Sequence, residues 1–289
     1  MDFIQNLQRA IDYMEEHILE PITYEDVAKH LYISNYHFHR TFSLVTGITA
    51  NEYIRNRRLS MAGQELSISC EKVINIASKY RYHSPESFTK AFTRFHGVTP
   101  SAARHAGIKL KSFNRLLVKI KLEGGTVMDY RIEKRKGFKV LAKVMQFRNE
   151  SILEEGNTEI QDFWKECWND GVFGELKENT TKHDTYGVCA SISKESTHFD
   201  YGIGMEFNGD NAPNGYNIWE VKPTLWAVFK CIGKGGDCIE ETWNKIFSEF
   251  LPGSEYIMTD DTDFELYSEG FGVDCFCEIW IPVKKKINA

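Results

Sequence analysis

The 289-residue sequence predicts a multidomain chain in which an all-α domain is followed by an α+β domain. Three observations predict this. Over residues 3–104 apolar residues recur every three or four positions, as on amphipathic helices. Beyond residue 127 the pattern changes to runs rich in β-branched and aromatic residues, which are typical of strands. The charge divides at the same place: residues 1–125 hold 17 Lys and Arg against 12 Asp and Glu, whereas the remainder holds 18 against 29.

Composition limits the classes of protein that the chain can belong to. A hydrophobic content of 42% and an aromatic content of 13% indicate globular domains. The sequence contains no run of 18 apolar residues and begins with an acidic amphipathic segment, so we expect neither a membrane span nor a signal peptide. Seven cysteines without paired spacing indicate reduced thiols and a cytoplasmic protein. The basic first part favours a polyanionic partner, although two ordinary domains with different surface charge would give the same counts.

A short stretch of the first domain occurs twice. Residues 34–49 read SNYHFHRTFSLVTGIT and residues 84–99 read SPESFTKAFTRFHGVT. Both copies begin with a serine suited to cap a helix and end near a glycine suited to a left-handed cap. A short helical segment precedes each copy, and a long helical pattern at 50–68 lies between them. The repeat therefore predicts two helix-turn-helix motifs joined by a long helix.

Each predicted recognition helix has an apolar face and a polar face. The aromatic pairs Phe38/Phe42 and Phe88/Phe92 are spaced by four residues and are expected to lie in the core. The polar faces carry Asn35, Tyr36, His37, His39 and Arg40 in the first copy and Pro85, Glu86, Ser87, Lys90 and Arg94 in the second. Basic side chains donate to guanine, and Glu accepts from cytosine. A solvated face is the alternative, but two such faces at a fixed spacing in a basic region favour DNA.

The segment SPESFTKAFTRFHGVTPSAAR resembles the second helix-turn-helix signature of the AraC family of transcription regulators. The segment ISNYHFHRTFSLVTGITANEYIRNRRL is similar to the first motif of that family and its linking helix. The resemblance implies two recognition helices in successive major grooves of double-stranded promoter DNA. Carried over by position, it implies base-proximal roles for Tyr36, His39, Arg40, Glu86, Ser87 and Lys90. It makes Arg55, Arg58, Arg81 and Arg94 candidate phosphate contacts.

The domain boundaries follow from the change of pattern. We expect a DNA-binding domain at 1–107, a basic linker at 108–126 with a flexible break at Gly124–Gly125, and an effector domain at 127–287. Strand patterns in the effector domain are interrupted by helical patterns at about 158–173 and 238–251. Similar segments recur in its two halves, which predicts two duplicated strand–strand–helix–strand–strand units.

The last strand, DCFCEIWIPV, places a carboxylate between two aromatic residues. By alternation Phe276, Glu278 and Trp280 are expected on one face of the sheet. Such a set suits the floor of a hydrophobic cavity for a cationic or amine-bearing ligand. The alternative is that the aromatic pairs of the domain are plain core and that Glu278 is solvated.

The strand order, the TLWAVFKCIG strand and the EIWIPV ending resemble the gyrase-inhibitor-like (GyrI-like) small-molecule-binding domains. The order of the two domains is similar to that of Rob-type regulators. The resemblance implies that Glu278 lies in a cleft between the two halves and recognises ligands, often lipophilic cations. It also implies Glu206 as a counterpart in the other half, and Trp164, Trp168 and Tyr201 as cavity walls.

No cysteine or histidine spacing fits a metal site, and no set of residues fits a catalytic triad or a phosphate loop, so we expect no metal, cofactor or enzyme activity. The sequence thus predicts a transcription regulator, in the first place an activator. It would respond to an amphipathic, cationic small molecule and work with RNA polymerase away from membranes. Two alternatives stay open. The second domain is a protein-interaction module of a ligand-independent regulator, or it is a DNA-tethered hydrolase that uses Glu278.

Overall fold

The computed structural model describes residues 3–118, 128–151, 157–233, 235–268, 270–271 and 274–286. The predicted break at Gly124–Gly125, and with it residues 119–126 of the predicted linker, lies outside the described residues. The contacts divide the chain into two compact units. One contains residues 4–32 and 48–118, and the other contains residues 33–47 together with the described residues from 128 on. The domain boundaries predicted above stay a prediction.

The first part of the chain is helical, as predicted. Its helices are α1 (Phe3–Glu16), α2 (Tyr24–Leu31), α3 (Asn35–Thr46), α4 (Ala50–Ile68), α5 (Val73–Lys79) and α6 (Pro85–His96), followed by a 3-10 turn at Ala102–Arg104. The predicted caps of the two repeated stretches are confirmed. Ser34 and Ser84 each accept the backbone N–H three residues on, at 3.2 and 3.1 Å. Gly47 and Gly97 end the helices with φ of 72° and 80°, the left-handed region that glycine adopts without strain.

The core of the unit formed by residues 4–32 and 48–118 includes a cluster from α4, α5 and α6. Phe88 and Phe92 are fully buried in it with Leu59 and Ile76, as the four-residue spacing predicted. The long helix α4 begins with a capping box, in which Thr49 accepts from the N–H of Glu52 and the Glu52 carboxylate accepts from the N–H of Thr49.

The second part of the chain is an α+β domain. Its strands are β1 (Tyr130–Arg135), β2 (Phe138–Arg148), β3 (Thr185–Ser191), β4 (His198–Phe207), β5 (Asn217–Val221), β6 (Thr224–Ile232), β7 (Tyr256–Met258), β8 (Asp263–Tyr267) and β9 (Cys275–Lys285). Its helices are α7 (Glu159–Asn169), α8 (Val172–Asn179) and α9 (Asp237–Lys245), and α9 continues through a π-helical turn at Ile246–Phe250 and a last α-helical turn at Leu251–Gly253.

The described strands form one antiparallel sheet in the order β1-β6-β9-β8-β3-β4-β2-β5, with β7 paired to β9. This order is symmetric about the β8–β3 pair. The half β1-β2-α7-α8-β3-β4 and the half β5-β6-α9-β8-β9 exchange their first strands, so that β1 pairs with β6 and β5 pairs with β2. The predicted duplication of strand–strand–helix–strand–strand units is therefore confirmed.

The two faces of the sheet are covered differently. One face carries a cluster that includes Trp226, Phe264 and Trp280. The other face carries two clusters, one covered by α7 and α8 and one by α9 and the turn that follows it. Because side chains alternate along a strand, residues 263, 265 and 267 of β8 project to the helix-bearing face. Among the described residues, no helix combines the length and the apolar character that a bilayer crossing requires.

Candidate functional site

A cavity of about 610 Å³ lies on the helix-bearing face of the sheet, between α7 and α9. Its floor comes from the central strands β3, β4 and β8, so both halves of the domain contribute to it. Helix α3, which belongs to the same compact unit, supplies one wall. The lining includes Tyr36, Arg40, Leu44, Phe147, Ile160, Trp164, Gly187, Cys189, Tyr201, Ile239, Trp243, Asp263, Glu265, Tyr267 and Phe276.

Glu265 is one of two carboxylates that β8 places at the floor of this cleft, the other being Asp263. The hydroxyls of Tyr201 and Tyr267 both donate to its Oε2, at 3.2 and 3.1 Å. Burial raises the pKa of the Glu265 carboxyl above its ordinary value, although Arg40 and the hydrogen bond from Tyr267 act in the opposite direction. An ionised carboxylate at this position is therefore incompletely compensated by the protein and gains free energy from a cation placed beside it.

Aromatic rings surround this carboxylate. The indole N–H of Trp164 donates to the Tyr201 hydroxyl at 3.0 Å, and the Trp164 ring meets the Tyr267 ring edge-on at 5.0 Å. Trp243 of α9 stands on the opposite side of the cleft. The Phe276 ring packs against Tyr267 at 5.7 Å. The arrangement suits an aromatic, positively charged ligand, since a cation gains both from the carboxylate and from the faces of the rings.

Gly187 makes room for this arrangement. It pairs with Glu265 across β3 and β8, and a Cβ at Gly187 would lie 3.0 Å from Glu265 Oε2 and overlap the Tyr201 hydroxyl. We expect Gly187→Ala to lower the affinity of the cleft for a bound cation by about tenfold, the effect of about 1–2 kcal/mol of overpacking. Calorimetric titration with a lipophilic cation measures this. Gly174→Ala in α8, where an added Cβ meets no atom within 4 Å, is the matched control; equal affinities of the two variants would contradict the prediction.

Two of the predicted ligand residues lie on the other face of the sheet. Both oxygens of Glu278 accept from the Arg131 guanidinium, at 2.6 Å each, and one of them also accepts from the Trp280 indole at 3.2 Å. Glu278 pairs with Leu266 across β8, one position from Glu265, and the pleat therefore turns it away from the cleft. The structure thus corrects the expectation that Glu278 and Trp280 share a cavity with the helix tryptophans.

The other predicted ligand residues divide between the cleft and its surroundings. Phe276, Trp164 and Tyr201 line the cleft. Alternation along β9 predicted that Phe276 lies on the same face as Glu278. Phe276 lies in the cleft instead, because the pairing of β6 with β9 shifts register next to Cys231 and the bulge turns the neighbouring side chains. Trp168 is 74% exposed and contacts Phe173 outside the cleft lining. The remaining one, Glu206, is held by ion pairs with Arg135 and Lys182, also away from the cleft.

Three of the four predicted DNA-contacting residues of α3 are buried in this structure. Tyr36 stacks on Phe199 at 4.8 Å, and its hydroxyl lies 2.7 Å from Cys189 Sγ. Asn35 donates its backbone N–H to the carbonyl of Lys194 at 2.9 Å. His39 is buried as well. The DNA role of these residues stays a prediction, and it requires α3 to leave this position.

Arg40 points from α3 into the cleft. It donates to both carboxylate oxygens of Asp263, at 3.0 and 3.1 Å, and to the Tyr36 hydroxyl at 2.8 Å. Its guanidinium lies 3.9 Å from the centre of the Trp243 ring. Burial alone would lower the pKa of Arg40, but the Asp263 carboxylate outweighs it and holds the pKa above the ordinary value. The side chains of Arg40 and Asp263 are 15% and 6% exposed, so the pair is shielded from water.

The predicted DNA-contacting residues of α6 have the opposite environment. Glu86, Ser87, Lys90 and Arg94 are all exposed. Of the candidate phosphate contacts, Arg81 is exposed and Arg55 pairs loosely with Glu52 at 3.5 Å.

Arg58 has a structural contact instead, because its guanidinium donates to the carbonyls of Ile18 and Glu20 at 2.7 and 2.5 Å. The exposed side chains of α6 are available to DNA without rearrangement.

Asp263, Glu265, Tyr267 and Trp243 are among the cleft residues that sequence reasoning missed. The signal was present in the segment DTDFELY, where two acids and a tyrosine alternate with apolar residues and therefore share one face. Trp243 lies four positions before Phe247 on a helical pattern, a spacing that is equally typical of plain core.

Comparisons with known proteins give two separate family matches along the chain. Residues 27–119 match the helix-turn-helix domain family, and residues 131–283 match the family described as integron-associated effector binding protein. The transcriptional activator AarP of Providencia stuartii is 35% identical over 98 residues, which are 34% of this chain and 73% of AarP. The transcriptional regulator YbfP of Bacillus subtilis is 35% identical over 104 residues, but these span only 35% of YbfP.

Among solved structures, SAV2435 bound to tetraphenylphosphonium aligns with a TM-score of 0.47 and 17% identity, over 54% of this chain and 94% of that one. The family match covers the effector domain, and the relatives cover the helical domain. The chain belongs to the AraC family of helix-turn-helix transcription regulators and carries an effector-binding domain of the integron-associated, GyrI-like family.

Proposed function

We propose that the chain activates transcription in response to a lipophilic cation bound at Glu265. The observation that carries this proposal is the partly buried Glu265 carboxylate, which two tyrosine hydroxyls orient inside an aromatic cleft. The proposal keeps the class of effector that the sequence predicted and moves its recognition from Glu278 to Glu265.

The cleft suits a ligand of this class in size and in lining. Its volume of about 610 Å³ falls in the range of drug-sized ligand sites. Aromatic rings in the lining favour a ligand that carries aromatic rings of its own, and the acids favour one that carries a positive charge. A neutral ligand of the same shape would leave the Glu265 charge uncompensated, so charge rather than shape is expected to decide affinity.

Calorimetric titration tests the effector class. Tetraphenylphosphonium is the probe, and triphenylphosphine oxide, which carries similar rings without the charge, is its neutral control. We expect the cation to bind at least ten times more tightly. Equal binding of the two compounds would refute recognition by charge, and the absence of heat with a panel of lipophilic cations would refute the effector class. Mass spectrometry of the recovered cation tests the hydrolase alternative, which would be supported by a product.

DNA recognition by α6 gives a second test. Lys90 and Arg94 lie one turn apart on its exposed side, Lys90 as a predicted base contact and Arg94 as a predicted phosphate contact. The DNA for this test is a duplex selected from a random library with the full chain. We expect Lys90→Ala to reduce the free energy of binding to it by about 1–3 kcal/mol and to relax sequence specificity at one base pair. Arg94→Ala should weaken binding to selected and random duplexes alike and reduce the salt dependence of that binding. Identical behaviour of the two variants in fluorescence anisotropy would contradict these roles.

Activation through RNA polymerase is the remaining part of the proposal. It is supported by the similarity of the helical domain to AarP, which is named as a transcriptional activator. In vitro transcription from a promoter that carries the selected site, with and without tetraphenylphosphonium, measures it. An increase in transcript supports activation, whereas a decrease would indicate a repressor. A protein-interaction role of the second domain would instead leave transcription unchanged by the cation.

A further inference from the structure

We propose that the first recognition helix, α3, is an internal ligand of the effector cleft, and that a cationic effector releases it for binding to DNA. This inference rests on the proposed function for the identity of the effector. The docked position of α3 itself is a feature of the structure.

The N-terminus of α3 is anchored outside the cleft. The backbone N–H and the Oγ of Ser34 both donate to the Asp260 carboxylate, at 3.1 and 2.6 Å. The N–H of Asn35 donates to the carbonyl of Lys194. Asp260 is not part of the cleft lining, so this anchor is specific to the docked helix and can be altered without changing the ligand site.

The next turns of α3 form one wall of the cleft. Arg40 follows Tyr36 by four residues, so both side chains project from one side of the helix. Tyr36 fills the space beside Phe199 and Cys189, while Arg40 lies between the Asp263 carboxylate and the Trp243 ring. Leu44, one further turn along, packs against the core cluster that contains Trp243. The helix thus uses aromatic, cationic and aliphatic contacts in turn.

Arg40 already makes the two kinds of interaction that a cationic effector would need. An acid and an aromatic face are the two elements that recognise a lipophilic cation, and the guanidinium already contacts one of each. Its charge also acts on Glu265, whose pKa is raised by burial and lowered by Arg40. A second cation beside Glu265 would meet the like charge of Arg40 in a site shielded from water, where repulsion is strong. Effector and docked helix therefore compete.

The same side chains are predicted to read DNA. Tyr36, His39 and Arg40 are the predicted base-proximal residues of the first motif, and in this structure all three are buried or paired. The corresponding side of α6 is exposed. The docked state thus offers one recognition helix to DNA, and release of α3 would offer two. A ligand that binds the cleft more tightly once α3 has left necessarily favours the released state.

Hydrogen exchange of the full chain tests the release directly. Peptides that cover residues 33–47 are followed with and without saturating tetraphenylphosphonium, and peptides that cover residues 84–97 serve as the internal control. We expect the cation to speed exchange at 33–47 at least tenfold and to leave 84–97 unchanged. Slower or unchanged exchange at 33–47, with the cation shown to be bound by calorimetry, overturns the inference while the proposed function stands.

A variant tests the same point without any effector. Asp260→Ala removes the anchor of Ser34, and Asp261→Ala removes the adjacent acid, whose carboxylate accepts from Thr259 instead. In fluorescence anisotropy with the selected duplex, we expect Asp260→Ala alone to raise affinity at least fivefold and to shrink the response to the cation. This variant tests autoinhibition by α3 even if the cation does not bind at all. Faster exchange at 33–47 with tighter DNA binding supports autoinhibition by α3, and unchanged DNA affinity overturns it.

Discussion

Replacing Glu265 by Gln is expected to reduce the affinity for tetraphenylphosphonium about 100-fold, or by about 2.7 kcal/mol. The variant keeps the shape of the side chain and can still accept the hydrogen bonds of Tyr201 and Tyr267, so the cleft should keep its form. It removes the charge that a bound cation would neutralise in a partly buried site, where charge–charge attraction is stronger than in water. Calorimetry on the purified full chain measures the loss.

Glu278→Gln is the matched control for that experiment. Glu278 belongs to the same sheet but lies on its other face, paired with Arg131, and its substitution should change cation affinity by less than threefold. Circular dichroism establishes that both variants are folded. Loss of binding in Glu278→Gln with retention in Glu265→Gln would reverse the assignment and restore the one made from sequence.

The second large effect is expected at the Arg40–Asp263 pair. Asp263→Asn leaves the shielded Arg40 guanidinium without its charge partner, and we expect it to lower the free energy of unfolding by about 3 kcal/mol. Arg40→Met alone leaves the Asp263 carboxylate without its partner and should also destabilise. The double variant removes both charges. Its loss in free energy of unfolding should be smaller than the sum of the two single losses by about 1.5 kcal/mol or more.

A double-mutant cycle by urea denaturation measures this coupling. Because Arg40 and Asp263 lie 223 positions apart in sequence, coupling between them arises only if α3 is docked in solution. Losses that add within about 0.5 kcal/mol would mean that the two side chains do not interact and that the docked helix is a minor state.

The parts of the fold that depend on local chemistry could be predicted from sequence. Ser34, Ser84, Gly47 and Gly97 start and end their helices as expected, because capping depends on a residue and its near neighbours. The duplicated α+β architecture followed from repeated patterns of apolar residues. The bounds of the five-residue strands β5 and β8 could not be read from the sequence, because so short a run after polar loops carries little periodic signal.

The site was predicted less well than the fold, since it depends on pairing between distant strands. Whether Glu278 or Glu265 faces the helices is decided by the register of β8 against β9, which no local pattern reveals. Phe276 enters the cleft through a register shift in the pairing of β6 with β9. The position of α3 was even less predictable from sequence. Its local pattern matches that of α6, and yet its polar side is largely buried whereas that of α6 is exposed.

The DNA affinity of the full chain, measured with and without tetraphenylphosphonium, tests the central claim most directly. If a cation at Glu265 displaces Arg40 and frees α3, the cation should tighten binding to the selected duplex at least tenfold in the wild type. In Glu265→Gln the same concentration should leave affinity unchanged. Unchanged DNA affinity in a wild-type chain whose cleft is saturated with the cation would contradict the coupling between effector and helix.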